Sequence, residues 1–393
     1  MSRLESLFSA ARAAVEDTEF RALRAWKEEQ PGRHCVGFFP VYAPQELLWA
    51  AGALPVALWG GGDQVEVERA DARLQSFICS ISRSTLELGM TGRLDFLDGI
   101  LFSSLCDVAR NLSGVWQRNF PGMLCEYLHY PQNPASGGAR DYYRGELERL
   151  AGRLAAVTGT EVTAERLEHA IGLYERQRAL LRSLAAVRTA EPWRLSLEEH
   201  AALLRSCGRR DPRAQNAVLE ELLALLPARE CRRRDGVRVV LEGSFCEQPP
   251  MDLLRVLDEA HCFVVDSDLG RGMNWFRRPL ARGDDPWDDL VAAYFESAEP
   301  SVVRHHDSAE RSARLVERAR AHRADGVVFC TAKFCEPALY DFVLHKAALE
   351  REGIPFLSVE FEEKMASFES IRTQAETFSE SILFFAEEKE AVS

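Results

Sequence analysis

The chain has 393 residues, of which 46% are hydrophobic and 28% charged, a composition of globular proteins and not of disordered or fibrous ones. The length exceeds what one apolar core organises, and the formal charge of −13 argues against nucleic acid and anionic membrane surfaces as main partners. No apolar run is long enough to span a bilayer, and the opening MSRLESLFSA is amphipathic, unlike a secretory signal, so a cytoplasmic protein is expected. Residues 1–33 read as helix, with apolar positions at Leu4, Leu7, Phe8, Ala11 and Val15. Strand-like runs follow at His34–Pro40, Leu54–Trp59, Phe96–Ser103 and Met123–Tyr130. Helical patterns lie between them at Pro44–Ala51, Leu74–Leu88 and Asp107–Asn119.

Residues 140–232 change character. They are rich in Arg, Leu, Ala and Glu at helical period, and Pro192, Asp211-Pro212 and Pro227 punctuate them. Alternation then returns, with strands expected at Val237–Gly243, Cys262–Asp266, Gly326–Thr331 and Pro355–Phe361. A long loop, Asp268–Pro300, interrupts them, and Ser367–Glu390 reads as a closing helix. The expected fold is α/β: two Rossmann-like, flavodoxin-like parallel sheets of about four strands each, separated by a helical middle. The expected domains are an N-terminal α/β domain with its leading helix over 1–139, a helical domain over 140–235 and a C-terminal α/β domain over 236–393.

The two alternating regions resemble each other. Val36–Phe39 leads into Pro44-Gln-Glu-Leu-Leu, and Val237–Leu241 leads into Pro250-Met-Asp-Leu-Leu. Asp98-Gly-Ile-Leu-Phe matches Asp325-Gly-Val-Val-Phe, and the segments after them are Leu105-Cys106-Asp107 and Phe334-Cys335-Glu336. The common order across three segments points to an internal duplication.

Ten cysteines are unusual in a chain that needs no disulfide to fold. In an open parallel sheet, ligands gather at the carboxyl ends of the strands. Cys106 and Cys335 each follow a third strand, Cys246 follows the first strand of the second region, and Cys79 sits at the beginning of a helix. These four can converge in a cleft. Cys35, Cys125, Cys262 and Cys330 lie within strands, while Cys207 and Cys231 lie in the helical middle. Free cysteine is also an ordinary buried residue, so position alone leaves burial and metal ligation both open. Without a CxxC pair or His-x-x-x-His, a zinc ribbon or finger is excluded, and an iron–sulfur cluster held by distant thiolates remains.

Other motifs are mostly negative. There is no P-loop and no GxSxG elbow. Gly60-Gly-Gly lacks the dinucleotide-binding spacing and reads as a turn that passes close to another segment or a ligand. His305-His306 point apart as neighbours and read as an exposed helix entry, not a metal pair. Glu46 reads either as a buried acid in the cleft or as a first-turn acid favoured by the helix dipole.

Three longer segments carry a specific resemblance. The stretch from Val36-Gly-Phe-Phe-Pro through Glu46 to Pro55-Val, the stretch from Asp95-Phe-Leu-Asp-Gly through Cys106-Asp-Val-Ala-Arg-Asn to Trp116, and Lys333-Phe-Cys-Glu-Pro resemble signatures of the 2-hydroxyacyl-CoA dehydratase D-component and benzoyl-CoA reductase family. Trp59-Gly-Gly-Gly-Asp-Gln, Arg83-Ser-Thr-Leu-Glu-Leu-Gly, Phe245-Cys-Glu-Gln-Pro-Pro and Phe368-Glu-Ser-Ile-Arg resemble its C-type (gamma) branch, that of the ATP-dependent benzoyl-CoA reductases. Pro40-Val41 stands where the dehydratases often carry Cys or Ser, a departure toward the reductase.

The resemblance implies a [4Fe-4S] cluster on Cys79, Cys106 and Cys335, with Cys246 a further ligand or a neighbouring thiol. It implies a pseudo-symmetric heterodimer with a homologous B-type subunit, ATP-hydrolysing activator subunits and ferredoxin as electron donor. The implied reaction is the single-electron, dearomatising reduction of benzoyl-CoA or a related acyl-CoA. Glu46 and Tyr42 flank the first-strand loop, Glu46 as a proton donor and Tyr42 at the substrate. Arg83, Arg110 and Asn111 would orient the thioester or the coenzyme A phosphates, although Arg110 could equally pair with Asp107. Two alternatives stand beside this reading: a subunit of a 2-hydroxyacyl-CoA dehydratase, and a non-catalytic subunit that only relays electrons through its cluster.

Overall fold

A computed structural model describes residues 2–243, 246–269, 278–297 and 308–392. Two four-stranded parallel sheets form. The first holds β1 (His34–Phe39), β2 (Ala53–Ala57), β3 (Gly99–Ser103) and β4 (Leu124–Leu128) in the order β2-β1-β3-β4. The second holds β5 (Val237–Glu242), β6 (Cys262–Ser267), β7 (Gly326–Ala332) and β8 (Phe356–Phe361) in the order β6-β5-β7-β8. The α/β expectation is therefore met, and both sheets have one topology with its switch point between the first and third strands.

The repeat extends to single residues. The Asp98 carboxylate accepts the Cys35 backbone N–H at 2.8 Å, and Asp325 accepts that of Arg238 at 2.7 Å. In each sheet the partner is the second residue of the first strand. The glycine after each Asp lets a neighbouring strand approach: a Cβ at Gly99 would lie 2.9 Å from Leu124, and one at Gly326 would lie 2.9 Å from the Pro355 carbonyl. Asp-Gly thus sets the register of the third strand twice.

Before the first sheet run α1 (Arg3–Glu16) and α2 (Arg21–Glu28). The single leading helix expected over residues 1–33 is broken. Phe20 adopts φ 54° and plunges into the core at 2% exposure, while the Arg209 guanidinium lies 4.3 Å from its ring centroid. Burying the ring outweighs one left-handed residue. Within the first unit come α3 (Gln45–Ala50), α4 (Ser80–Met90) and α5 (Asp107–Asn119). The α4 helix begins six residues later than its apolar pattern suggested.

Four helices follow: α6 (Ala139–Thr158), α7 (Ala164–Ala190), α8 (Leu197–Ser206) and α9 (Pro212–Leu225). The second unit adds α10 (Met251–Glu259), α11 (Pro286–Ala292), α12 (Ser308–Ala321), α13 (Glu336–Glu352) and α14 (Glu369–Val392). The α11 helix corrects the expectation of an unbroken loop over Asp268–Pro300. Pro286 starts it, and the Asp285 carboxylate accepts the Trp287 N–H at 3.0 Å. His305 and His306 lie outside the described residues. One apolar core runs from Val36 and Phe38 through Leu147, Leu184 and Leu219 into Val239 and Val328, so the middle helices bind the two sheets together. The α7 helix carries much of this, packing on α3, α9 and the edge strand β6. Among the described residues no helix is long and apolar enough to cross a membrane.

Candidate active site at three helix N-termini

Cys79, Cys106 and Cys335 are the N-cap residues of α4, α5 and α13. Cys106 follows the end of β3 and Cys335 the end of β7, the same place in the two repeats. Cys246 follows β5, beside the switch point of the second sheet. The four thiols converge: Cys246 lies within the electrostatic range of Cys335, Cys106 and Cys79, and Cys79 within that of Cys106 and Cys335.

Burial dominates their protonation. It pushes the Cys335 thiol up to about 12 and raises the other three as well. The helix ends oppose it. The amides of Val108 and Ala109 draw the Cys106 thiol back down, the Ala338 amide does so for Cys335, and Ser82 Oγ lies 3.1 Å from Cys79 Sγ. Each helix presents its positive end to a sulfur, which favours negative charge there. As free thiols in a dry site, all four stay protonated. A bound cation would complete the site by offsetting the burial.

The donor set decides what that cation could be. Among the described residues no three His, Cys, Asp or Glu side chains are drawn together as a single metal ion requires. A zinc ion holds four thiolates on bonds of about 2.3 Å, so its sulfurs crowd one point. An iron–sulfur cluster interposes iron and sulfide and spreads its thiolates more widely. Buried thiols from distant segments, ringed by helix N-termini, fit the second case.

A pair of carboxylates closes the site and joins the two halves of the molecule. Glu247, next to Cys246, accepts the Ser80 hydroxyl at 2.5 Å and the Ile81 N–H at 3.1 Å. It thereby caps α4 from the other sheet, which is why that helix begins at Ser80. Glu363, after β8, accepts the Gly62 N–H at 3.3 Å, and its own N–H donates to Ser80 Oγ at 3.3 Å. Burial raises both carboxyl groups, and the nearby Glu247 charge raises Glu363 further. The Gly60-Gly-Gly turn makes room for Glu363. Gly60 has φ 79°, and a Cβ there would stand 1.9 Å from Glu363 Oε1. The close segment expected at that turn is the loop after β8.

The other expected site residues lie apart. Glu46 is buried in α3, and its carboxylate accepts Arg178 Nη1 of α7 at 2.6 Å. That ion pair holds a charge in place, an arrangement opposite to that of a poised proton donor. Tyr42 is buried with φ 62°. Arg83 grips Asp71 through both its Nε and Nη2. Arg110 pairs with Asp107 at 3.0 Å on the exposed side of α5, where Asn111 is also exposed. Cys35, Cys262, Cys330 and Cys207 are buried, and Cys125 and Cys231 half-buried. Glu247 was within reach of sequence reasoning, since it belongs to the Cys246-Glu-Gln-Pro-Pro segment. Glu363 lies in an acidic stretch with no such signal.

Residues 40–382 match the family described as 2-hydroxyglutaryl-CoA dehydratase, D-component. The chain belongs to that family. Its D-component relatives match it nearly end to end. The benzoyl-CoA reductase gamma-type (C) chain of Thauera aromatica is 36% identical over 377 residues, covering 96% of this chain and 98% of that one. The (R)-phenyllactyl-CoA dehydratase beta subunit of Clostridium sporogenes is 27% identical over 382 residues, covering 97% and 100%. The beta subunit of the (R)-2-hydroxyglutaryl-CoA dehydratase of Acidaminococcus fermentans is 25% identical over 364 residues, covering 91% and 94%. As a D-component chain, this protein is thus similar to subunits of acyl-CoA reductases and dehydratases alike, with the greater identity to the reductase.

Proposed function

We propose that this chain is the cluster-bearing C-type subunit of an ATP-dependent benzoyl-CoA reductase, acting in the anaerobic degradation of aromatic compounds. The observation that carries the reading is the convergence of Cys79, Cys106 and Cys335 at three helix N-termini, with Cys246 beside them. These thiolates would hold a [4Fe-4S] cluster. Such a cluster supplies single electrons at low potential, which an aromatic ring needs because the first electron breaks its delocalisation. The full reduction adds two electrons and two protons to benzoyl-CoA and yields a cyclohexadiene-carboxyl-CoA.

The chain's own residues have three tasks in this reading. The helix N-termini of α4, α5 and α13 hold negative charge at the sulfurs. The Glu247–Glu363 pair locks the two sheets around the site and keeps it dry. The Glu46–Arg178 pair anchors α3 behind the first-strand loop. Tyr42, Arg83, Arg110 and Asn111 are assigned to the substrate side by the family signature, with Arg83 and Arg110 bound to neighbouring carboxylates before substrate arrives.

Partners follow from what the chain exposes and lacks. It has no P-loop, so ATP hydrolysis falls to activator subunits that take electrons from ferredoxin, in the cytoplasm. Next to the thiols, α13 presents Leu339, Tyr340, Val343 and Leu344 to solvent, and Tyr340 and Val343 are 70% and 65% exposed. Phe77 and Phe334 stand exposed beside Cys79 and Cys335. A continuous apolar rim at a reactive site is suited to closure by a homologous B-type subunit.

The dehydratase relatives give the second reading: the same single-electron chemistry would expel the hydroxyl of a 2-hydroxyacyl-CoA without net reduction. The complex, purified without oxygen, is to be assayed for iron, for its electron paramagnetic resonance spectrum, and with benzoyl-CoA and a 2-hydroxyacyl-CoA. Iron with turnover of benzoyl-CoA is expected. Turnover of the hydroxyacyl thioester alone overturns the reductase reading, and an iron-free active complex overturns the cluster.

A further inference from the structure

A cavity of about 470 Å³ lies away from the thiols' own shell, between α7, α8 and the carboxyl end of β6. Its size falls within the range of small-molecule sites, and its place at the end of a parallel strand is where open α/β sheets receive ligands. The walls are largely apolar, formed by residues such as Leu181, Ala185 and Leu204. Three nitrogen-bearing side chains interrupt them: Arg182, Arg188 and His200.

These three have donor capacity left over. The His200 side chain is 93% buried and its Nε2 meets no hydrogen-bond partner. Burial and the nearby Arg188 charge hold that imidazole neutral, so Nε2 remains free to donate a proton to a hydrogen bond. Arg182 Nη1 is likewise enclosed without a partner, and the nearest carboxylate, Glu175, is 4.0 Å from its other terminal nitrogen. Arg188 spends two nitrogens on the carbonyls of Val264 and Leu195 and leaves Nη2 3.5 Å from Asp258. Enclosed donors without acceptors are rare in folded proteins because their desolvation is uncompensated. Among the lining residues the one carboxylate, Asp266, is already held by Arg318 at 2.6 Å.

We propose that this cavity binds a small monocarboxylate with an apolar body, its carboxylate received by Arg182 and His200 and its body by Leu181, Ala185 and Leu204. The donors are satisfied only by an acceptor, the surplus guanidinium favours an anion, and the apolar wall excludes a heavily hydroxylated ligand. This site stands independently of the cluster. Its ligand would bind whether or not the thiols carry iron.

The test is fluorine magnetic resonance of 4-fluorobenzoate with the full complex. Wild type is expected to broaden the probe signal at millimolar probe or below. Arg182→Gln, a half-exposed position that tolerates exchange, is expected to weaken binding about 10-fold, the scale of one charge-assisted hydrogen bond. Ala185→Phe fills the cavity and is expected to abolish binding, with circular dichroism confirming the fold. The cation 4-fluorobenzylamine is expected to leave its signal sharp. No broadening by wild type overturns the proposal. So does binding that both variants leave unchanged, or equal binding of the amine.

Discussion

Glu46 and Arg178 form a buried ion pair 2.6 Å long, with side chains only 2% and 4% exposed. A second carboxylate, Glu175, holds Arg178 Nε at 2.6 Å and is 17% exposed. The three charges are unequal in what they lose when one is removed. Arg178→Met strands the Glu46 carboxylate in the core, where breaking a buried pair costs about 3–5 kcal/mol. Glu46→Gln keeps the shape, and Arg178 retains Glu175, so the cost falls to the ~1–3 kcal/mol of a weakened buried hydrogen bond. The double variant removes the stranded charge and is expected to be less destabilised than the two single losses summed, with a coupling of at least about 1 kcal/mol. Urea unfolding of the full chain, followed by tryptophan fluorescence, measures all three. The same proteins are assayed for turnover in the complex. If Glu46→Gln abolishes turnover while leaving the unfolding midpoint unchanged, Glu46 acts on the substrate and the ion-pair argument fails.

Three further outcomes are expected. Cys79→Ala, Cys106→Ala and Cys335→Ala should each reduce bound iron and sulfide by more than about half, since a cluster lacking one of few thiolates is poorly held; retention of iron by all three removes the assignment. Gly60→Ala forces a side chain into a left-handed turn against Glu363, at a cost of about 1–3 kcal/mol in a thermal or urea assay; Glu363→Ala in the same chain should recover part of it. The Glu247–Glu363 pair makes stability depend on pH. Both folded carboxyls are raised, so their contribution is complete below the ordinary carboxylate range and is lost as pH rises through the folded values. Urea midpoints between about pH 5.5 and about pH 8.5 should therefore fall, and Glu363→Gln should flatten that fall. A slope unchanged by the substitution would show that other groups set it.

The periodicities of the chain were enough for the two sheets, because each buried strand is an apolar run bounded by turn residues. They were also enough for the duplication, because Asp98-Gly and Asp325-Gly do the same local work at the start of β3 and β7. The cysteines could be sorted by their distance from strand ends for the same reason: position along a parallel strand is a local property. The broken leading helix was not legible, since Phe20 leaves helical geometry only to reach a core built by residues far along the chain. The start of α4 was hidden likewise, its capping carboxylate being 166 residues away.

What the sequence by itself determined is which residues stand at the carboxyl ends of which strands, and therefore which thiols were candidates. Only the tertiary structure decided their company. It placed three of those thiols at helix N-termini, set Glu247 and Glu363 across the gap between the sheets, and gave Glu46 an arginine 132 residues distant. Periodicity reports which face of an element is buried, but a buried charge takes its meaning from its partner. Partners across a fold leave no periodic mark on the chain.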